Sequence, residues 1–339
     1  MGGTLNTEWK SICCAVQGRG HAKKNLPCQD KVARLEENGV QVIALADGAG
    51  SAALSHYGAQ CVVNRATAFI GDRFFDLIAQ EDGRSVTLEI LNVILQALKD
   101  EAELHDCALK DLASTLLIAA VGDGKFFLAH LGDGVIGYLN EDGLKVASIP
   151  DNGEFSNETV FVTSANAAAR MRIFKGALKN ISGFILMSDG SEQSLYNKRK
   201  KTLAGAVKRL MHRTCLIDGE ILMPQLEEAL SSVVASNTQD DCSVAILART
   251  SAQLPPLDAL PMSERQELFQ IRGSHALRKV SKEISCCDKI CELLKRPLTL
   301  RQVARRLYVK RLHAKKKLRR LLKAGVIRKD NHCYETVSC

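Results

Sequence analysis

The fold is decided by residues 111–139, which read DLASTLLIAAVGDGKFFLAHLGDGVIGYL. The apolar runs in this stretch predict three β-strands in succession, and the glycines at 122–124 and 132–134 predict the turns between them. Strands joined by such short turns pair antiparallel. Further strands are predicted at 9–16, 31–35, 40–46, 184–188 and 242–248.

Helical periodicity covers four segments between these strands, at 51–79, 86–104, 201–211 and 219–235. Strands that are joined by short turns and interrupted by long helices are typical of an α+β fold with antiparallel sheets. The pattern argues against a wound parallel sheet. No internal repeat is evident along the chain.

The composition is that of an ordinary globular protein, with 46% hydrophobic and 25% charged residues among 339. The longest apolar stretch, 113–121, is about half of a bilayer span, so no transmembrane helix and no membrane partner are predicted. The first ten residues lack the pattern of a secretory signal. We therefore expect a cytoplasmic protein whose 12 cysteines remain thiols.

Charge divides the chain into two parts. Residues 263–339 contain 21 Lys and Arg against 7 Asp and Glu, whereas residues 1–262 contain 25 against 31. Three of the seven prolines lie at 255, 256 and 261, and they predict a linker. The sequence thus predicts an acidic domain at 1–250, a linker at 251–262 and a basic domain at 263–339.

Five aspartates of the acidic part lie next to predicted strands: Asp30, Asp47, Asp133, Asp189 and Asp240. Any one of them, taken alone, is explained as a turn residue. Together they predict a different feature, because carboxylates that converge at one edge of a sheet repel each other unless a cation neutralises them. Oxygen ligands suit Mg²⁺ and Mn²⁺, and no cluster of His or Cys suggests zinc.

The motifs around these aspartates resemble, in order, those of the metal-dependent protein serine/threonine phosphatases of the 2C type (the PPM family), in particular bacterial members. The motifs are CQD at 28–30, ADGAGS at 46–51, LGDG at 131–134, MSDG at 187–190 and DDCSV at 240–244. The resemblance runs from about residue 12 to 249. It implies a four-layer sandwich in which two antiparallel sheets are flanked by helices.

The resemblance also implies a reaction and a site. Phosphoserine or phosphothreonine would be hydrolysed by a water activated between two Mn²⁺ or Mg²⁺ ions, without a covalent intermediate. Asp47 would bridge both metals with the Gly48 carbonyl as a further ligand, Asp189 and Asp240 would hold the other side, and Asp30 would act through metal-bound water. Asp133 would serve a third metal. The expected partners are a phosphoprotein substrate and a cognate kinase.

Two departures from the family pattern concern the substrate phosphate and the proton donor. Asn25 stands where many members have a phosphate-binding Arg, and three nearby side chains are candidates to replace it: His21, Lys23 and Lys24. The alternative is an exposed basic loop. Ala49 stands where eukaryotic members have a His, which implies either that a metal-bound water protonates the leaving group or that turnover is slow. Glu192 and Gln193 are irregular as third-metal partners.

The basic part resembles a winged helix-turn-helix. It predicts a helix that ends at 294, a second at 300–307 capped by Thr299, a third at 310–323 that stops at Ala324-Gly325, and two strands around a turn at 330–331. Between 301 and 329 there are 13 basic residues and no acidic one.

The third helix is the candidate binding surface of the basic domain, with its cations at Lys310, Arg311, Lys315, Lys316, Arg319 and Arg320. A DNA or RNA backbone is one expected partner and an acidic protein is another, and a solvated basic face is the simplest alternative. Two other functions stay open. One is a catalytically weak or inactive phosphatase-fold adaptor. The other is a transcriptional regulator with a phosphatase-like sensor domain.

Overall fold

The structure is a computed structural model that describes residues 9–151, 159–250 and, with gaps, 262–336. The described chain divides into two compact units. The larger contains Trp9–Met211 and Met223–Ala248, and the smaller contains His212–Leu222 together with the residues after 248. The predicted linker at 251–262 lies almost wholly outside the described residues, so the domain boundaries stay a prediction.

The larger unit contains two five-stranded sheets in which all the pairings described below are antiparallel. Their strands are β1 (Trp9–Val16), β2 (Lys31–Glu37), β3 (Val40–Ala46), β4 (Leu116–Gly122), β5 (Lys125–Leu131), β6 (Val135–Asn140), β7 (Gly143–Ser148), β8 (Arg172–Ala177), β9 (Gly183–Met187) and β12 (Cys242–Arg249). The first sheet has the order β2-β3-β4-β5-β8, and the second has the order β1-β12-β9-β6-β7. A two-stranded hairpin, β10 (Tyr196–Asn197) with β11 (Thr202–Leu203), forms a separate small sheet by its hydrogen bonds.

Seven α-helices begin among the described residues before 250: α1 (Arg19–Lys23), α2 (Ser55–Ala79), α3 (Gly83–Leu104), α4 (Ala167–Arg170), α5 (Asp189–Leu195), α6 (Gly205–Leu216) and α7 (Gly219–Ala229). Helices α2 and α3 cover one face of the first sheet. Helix α2 does so with a stripe at four-residue spacing, which includes Val62, Ala66, Ile70 and Phe74, all fully buried. A second apolar core contains residues from strands of both sheets, such as Leu45, Leu117, Phe184 and Leu247.

The predicted α+β fold with antiparallel sheets is confirmed, and most predicted strands lie within a residue or two of their observed positions. The helix predicted at 201–211 is wrong at its start, because Thr202–Leu203 pairs with Tyr196–Asn197 and α6 begins only at Gly205. The helix predicted at 219–235 is α-helical only to Ala229 and continues as a π turn and a 3-10 turn to Asn237. The sequence also missed α1, α5 and the edge strands β7 and β8.

The smaller unit contains, after residue 276, three helices and a three-stranded sheet. The elements are α8 (Leu277–Leu293), β13 (Leu298–Thr299), α9 (Leu300–Arg306), α10 (Arg311–Lys323), β14 (Ile327–Asp330) and β15 (Cys333–Thr336), with the strands in the order β13-β15-β14. Thr299 caps α9 as predicted, through a capping box with Gln302. The hairpin turn falls at 331–332 and not at 330–331, because Asp330 pairs with Cys333. The predicted helix-ending Gly325 lies outside the described residues.

A single apolar cluster holds this unit together. Buried side chains of α8 and α10 pack with Ile327, the first residue of β14. They include Ile284, Ile290, Leu318 and Leu321. In the parts of the chain that the structure describes, no helix combines the length and the apolar character needed to cross a bilayer.

Candidate active site

Two of the predicted aspartates lie at the same end of the first sheet. Strands β2 and β3 pair antiparallel with Lys31 opposite Ala46. The same register places Asp30 and Asp47 opposite each other, one residue beyond the last pair. Asp47 is fixed through its backbone, because its N–H donates to Thr115 Oγ1 at 2.9 Å and its carbonyl accepts from the Thr115 N–H at 2.8 Å.

The other three predicted aspartates lie at one end of the second sheet. Met187 of β9 pairs with Val135 of β6 and with Val244 of β12. Asp133 stands two residues before β6, Asp189 two residues after β9 and Asp240 two residues before β12. Because these strands are antiparallel neighbours, the start of β6, the end of β9 and the start of β12 lie at the same end of the sheet.

A close backbone contact brings two of these residues together. A Cβ on Gly190 would lie only 2.0 Å from the carbonyl oxygen of Asp241, so glycine is required where α5 begins. Asp189, the first residue of α5, is thereby held beside Asp240. Asp133 is held by Thr159, whose Oγ1 donates to Asp133 Oδ2 at 2.6 Å.

The two groups of aspartates lie close enough to influence each other's charge. Burial raises the pKa of Asp47 well above its ordinary value, and the negative charges of the four other aspartates raise it further. Burial likewise raises the pKa of Asp189 to about 7, with the charge of Asp240 as the next cause. We call the set of Asp30, Asp47, Asp133, Asp189 and Asp240 the carboxylate rim.

Asp30 is the most deeply buried member of the carboxylate rim, with 1% of its surface exposed. Burial raises its pKa to about 7, although the nearby hydroxyls of Ser188 and Ser243 lower it in part. Neither of its carboxylate oxygens makes a hydrogen bond of ordinary geometry with a described residue. A buried carboxylate without such partners is costly, so an electropositive ligand would stabilise this arrangement.

The carboxylate rim fits hard divalent cations. Its donors are oxygens, and one oxygen each of Asp189 and of the adjacent buried Glu192 is also without a hydrogen-bond partner among the described residues. In the described parts of the chain, no group of three or more His, Cys, Asp or Glu side chains has the geometry of a preformed metal site. The fit therefore rests on burial, on unpaired oxygens and on mutual repulsion, which a cation would relieve.

The three candidate phosphate-binding residues lie on or next to the short helix α1, and they differ in surroundings. The side chains of Lys23 and Lys24 are exposed. His21 is largely buried, and its Nδ1 lies 2.9 Å from Oδ2 of Asp241. The structure thus leaves Lys23 and Lys24 open to an approaching anion, whereas His21 has a carboxylate partner within the protein.

Sequence reasoning missed two residues beside the carboxylate rim. Asp241 is buried and accepts hydrogen bonds from the backbone N–H groups of Gly18 and Gln29. Lys198 forms an ion pair with Glu192, one helical turn after Asp189. The doubled aspartate at 240–241 was the only local signal for Asp241, and nothing near Lys198 in the sequence pointed to the site.

Antiparallel sheets whose ends carry a group of carboxylates, from fully buried Asp30 to exposed Asp240, are what a hydrolase that works with divalent metals requires. The family model described as protein phosphatase 2C matches residues 17–231, more than half of the chain. Serine/threonine-protein phosphatase 3 of Escherichia coli (strain K12) is 29% identical over 199 residues, which are 56% of this chain and 76% of that protein.

Solved structures agree on the fold. Serine/threonine phosphatase Stp1 from Staphylococcus aureus gives a TM-score of 0.51 at 17% identity, over 74% of this chain and 99% of that one. The catalytic domain of the serine/threonine protein phosphatase PstP, in complex with two manganese ions, gives a TM-score of 0.50 at 15% identity, over 72% and 99%. The chain belongs to the protein phosphatase 2C family, and it is a metal-dependent protein serine/threonine phosphatase.

Proposed function

We propose that the carboxylate rim is the catalytic centre of this phosphatase and binds two Mn²⁺ or Mg²⁺ ions. Asp47 and the Gly48 carbonyl would hold both ions, Asp189 and Asp240 would complete their protein ligands, and Asp133 would serve a third. The observation that carries this proposal is the buried carboxylate of Asp30, which lies opposite Asp47 and has no hydrogen-bond partner for either oxygen among the described residues. When bound, the ions supply an activated water and neutralise charge on the phosphoryl oxygens.

The protein's own groups then have separate tasks. Asp30 lies opposite Asp47, and its buried carboxylate would accept a hydrogen bond from a metal-bound water and orient it. Lys23 and Lys24 are exposed cations on the same connection as Asp30 and attract the phosphate. His21 contacts Asp241 and contributes mainly by holding this connection in place. Burial raises the pKa of the Cys28 thiol, which keeps it protonated and unsuited as a nucleophile.

The test is phosphate release from a phosphothreonine peptide with Mn²⁺ and with EDTA. We expect release to need metal and to fall at least about a hundredfold in Asp47→Asn. Asp123→Asn is the matched control, because Asp123 is an exposed turn residue at the opposite end of β4 from Thr115. No release by the wild-type protein in any divalent metal would favour the inactive adaptor instead. We also propose a partner kinase. A kinase from the same organism that phosphorylates a protein which this phosphatase then dephosphorylates would be a candidate for it.

We further infer that residues 277–336 form a winged-helix domain that binds double-stranded DNA. A helix, a short strand, two helices joined by a four-residue turn and a β-hairpin follow each other in that order. Within α10, Ala314, Leu318 and Leu321 are buried, so the opposite face points to solvent. This geometry supports insertion of α10 into a major groove.

The outward face of α10 carries the charge that such binding needs. Arg311, Lys315, Lys316 and Arg319 are exposed, and the turn before the helix exposes 96% of Tyr308. Arg320 differs from the sequence-based expectation, because its Nη1 donates to Glu283 Oε2 at 2.7 Å within the unit. The face therefore comprises four cations of α10 with Lys310 beside them.

Fluorescence anisotropy of the full chain with a labelled 20-base-pair duplex tests this function. The slope of log affinity against log salt should be about −0.9 for each phosphate contact. Lys315→Glu with Lys316→Glu should weaken binding at least tenfold, whereas the control Lys282→Glu with Lys289→Glu, on the exposed face of α8, should change it less. An equal loss of duplex binding in both double variants would favour an acidic protein partner. Displacement of the labelled duplex by polyglutamate at equal charge would favour it too.

A further inference from the structure

A basic hairpin stands between α5 and α6 of the larger unit. We use the term basic hairpin for residues 196–203, in which Tyr196 pairs with Leu203 and Asn197 with Thr202. Its loop reads Lys198-Arg199-Lys200-Lys201, which is the only run of four consecutive basic residues in the otherwise acidic first 262. Apart from the ion pair of Lys198 with Glu192, the fold and the reaction described above make no use of these charges.

The basic hairpin has a defined conformation. The backbone N–H of Lys200 donates to Asn197 Oδ1 at 2.9 Å, and the N–H of Ala204 donates to the carbonyl of Leu195 at 2.8 Å. Leu203 packs onto β6 so closely that a Cβ on Gly137 would lie 2.4 Å from its Cδ1. Tyr196 is 8% exposed. The loop is therefore held on the second sheet, and the backbone positions of its basic residues are fixed.

The basic hairpin stands next to the carboxylate rim. Lys198 forms an ion pair with Glu192, which is buried and follows Asp189 by one turn of α5. The hydrogen bond to Glu192 raises the pKa of Lys198, and the charges of Asp189 and Asp133 raise it further. Because Glu192 lies one turn after Asp189 in α5, its ion pair with Lys198 places the base of the loop beside the carboxylate rim.

The remaining charges of the loop are not neutralised within the described protein. Arg199, Lys200 and Lys201 are exposed, and none forms an ion pair with a described residue. Such a group of cations raises the local concentration of anions near the entrance of a site. A phosphorylated residue bound at the carboxylate rim would bring its neighbours in the peptide within reach of this loop.

We propose that the basic hairpin selects substrates in which acidic residues flank the phosphorylated serine or threonine. The proposal rests on the proposed phosphatase function of the carboxylate rim and names a substrate class for it. Arg199 and Lys200 bind the flanking carboxylates, while Lys198 stays paired with Glu192 and anchors the loop. Basic flanks are disfavoured by the same charges.

The experiment compares three phosphothreonine peptides that differ only in acidic, neutral or basic flanking residues. We expect the wild-type protein to have a kcat/KM about tenfold higher for the acidic than for the basic peptide, mainly through KM, and the ratio to shrink in 0.5 M NaCl. Arg199→Glu with Lys200→Glu should abolish or reverse this ratio. The matched control is Lys125→Glu with Arg84→Glu, which makes the same charge change on exposed residues at the start of β5 and in the first turn of α3.

Hydrolysis of p-nitrophenyl phosphate separates this proposal from the reaction itself. It should change less than twofold in the hairpin variant, because this substrate has no flanking residues. No preference in the wild-type protein, or equal loss of preference in the control variant, would overturn the proposal. If no phosphatase activity is found at all, anisotropy of the three labelled peptides in EDTA gives the same comparison by binding alone, and equal affinities would overturn it.

Discussion

The Nδ1 atom of His21 lies 2.9 Å from Oδ2 of Asp241, across 220 residues of sequence. The same carboxylate accepts hydrogen bonds from the backbone N–H of Gly18 at 2.6 Å and of Gln29 at 2.5 Å. One buried side chain thus holds both ends of the connection that carries Lys23 and Lys24, and it does so next to Asp240. The geometry of this loop, which we propose attracts the phosphate, and that of the carboxylate rim are therefore linked.

Replacement of Asp241 should affect both stability and substrate binding. Asp241→Ala leaves two buried N–H groups without their acceptor and removes the carboxylate beside His21, which we expect to cost about 2–4 kcal/mol in the free energy of unfolding. Asp241→Asn keeps one acceptor oxygen and should lose less than half of that. Urea unfolding measures the loss, and KM for a phosphopeptide should rise more than kcat falls. An Asp241→Ala protein as stable as the wild type would contradict the role assigned to this residue.

The metal-free protein should become less stable as the pH rises from about 4 to 7. Burial raises the pKa values of Asp30 and Asp189 to about 7 in the folded protein, against 3.8 ordinarily. In this range the folded state binds more protons than the unfolded state, so each group lowers the free energy of unfolding by at most about 1.4 kcal/mol per pH unit.

Urea midpoints at pH 5 and pH 7.5 in EDTA measure this slope. Asp30→Asn should flatten part of it, because an amide does not titrate. Added Mn²⁺ should offset the loss above pH 6, because it binds the ionised carboxylates of the folded state. A wild-type midpoint that rises with pH in EDTA would show that the carboxylate rim is not the dominant titrating group.

The sequence predicted the parts of this protein that depend on local patterns. The five aspartates could be found because each stands next to an apolar strand and a turn. Asp241 could not, because its function depends on pairing with Gly18 and Gln29, more than 200 residues away. The helix predicted at 201–211 includes the second strand of the basic hairpin, because strands of only two residues leave no alternation to recognise.

Cys28 should be dispensable for the reaction although it lies two residues from Asp30. Burial raises the pKa of its thiol, and its Sγ contacts the Asp30 carbonyl at 3.5 Å. We expect Cys28→Ala to keep kcat within about threefold of the wild type, and iodoacetamide at pH 7 to leave activity unchanged. Phosphate release that is lost in Cys28→Ala but kept in Asp47→Asn would indicate a covalent cysteine mechanism instead.

A core substitution in α10 should destabilise the region after residue 276, because buried side chains of α8, α10 and β14 form an apolar cluster there. Leu318 of α10 is fully buried, so Leu318→Ala should cost about 2–5 kcal/mol in the smaller unit. Leu312 of the same helix is 76% exposed, and Leu312→Ala, as the matched control, should cost less than about 0.5 kcal/mol.

Differential scanning calorimetry and limited proteolysis of the full chain measure this difference. In Leu318→Ala the region after residue 276 should be cleaved at a lower temperature, and phosphate release by the larger unit should stay within about twofold of the wild type. A parallel loss of phosphate release would mean that the carboxylate rim depends on the fold of the smaller unit. Because one helix carries both substitutions, a difference between them measures burial and not helix propensity.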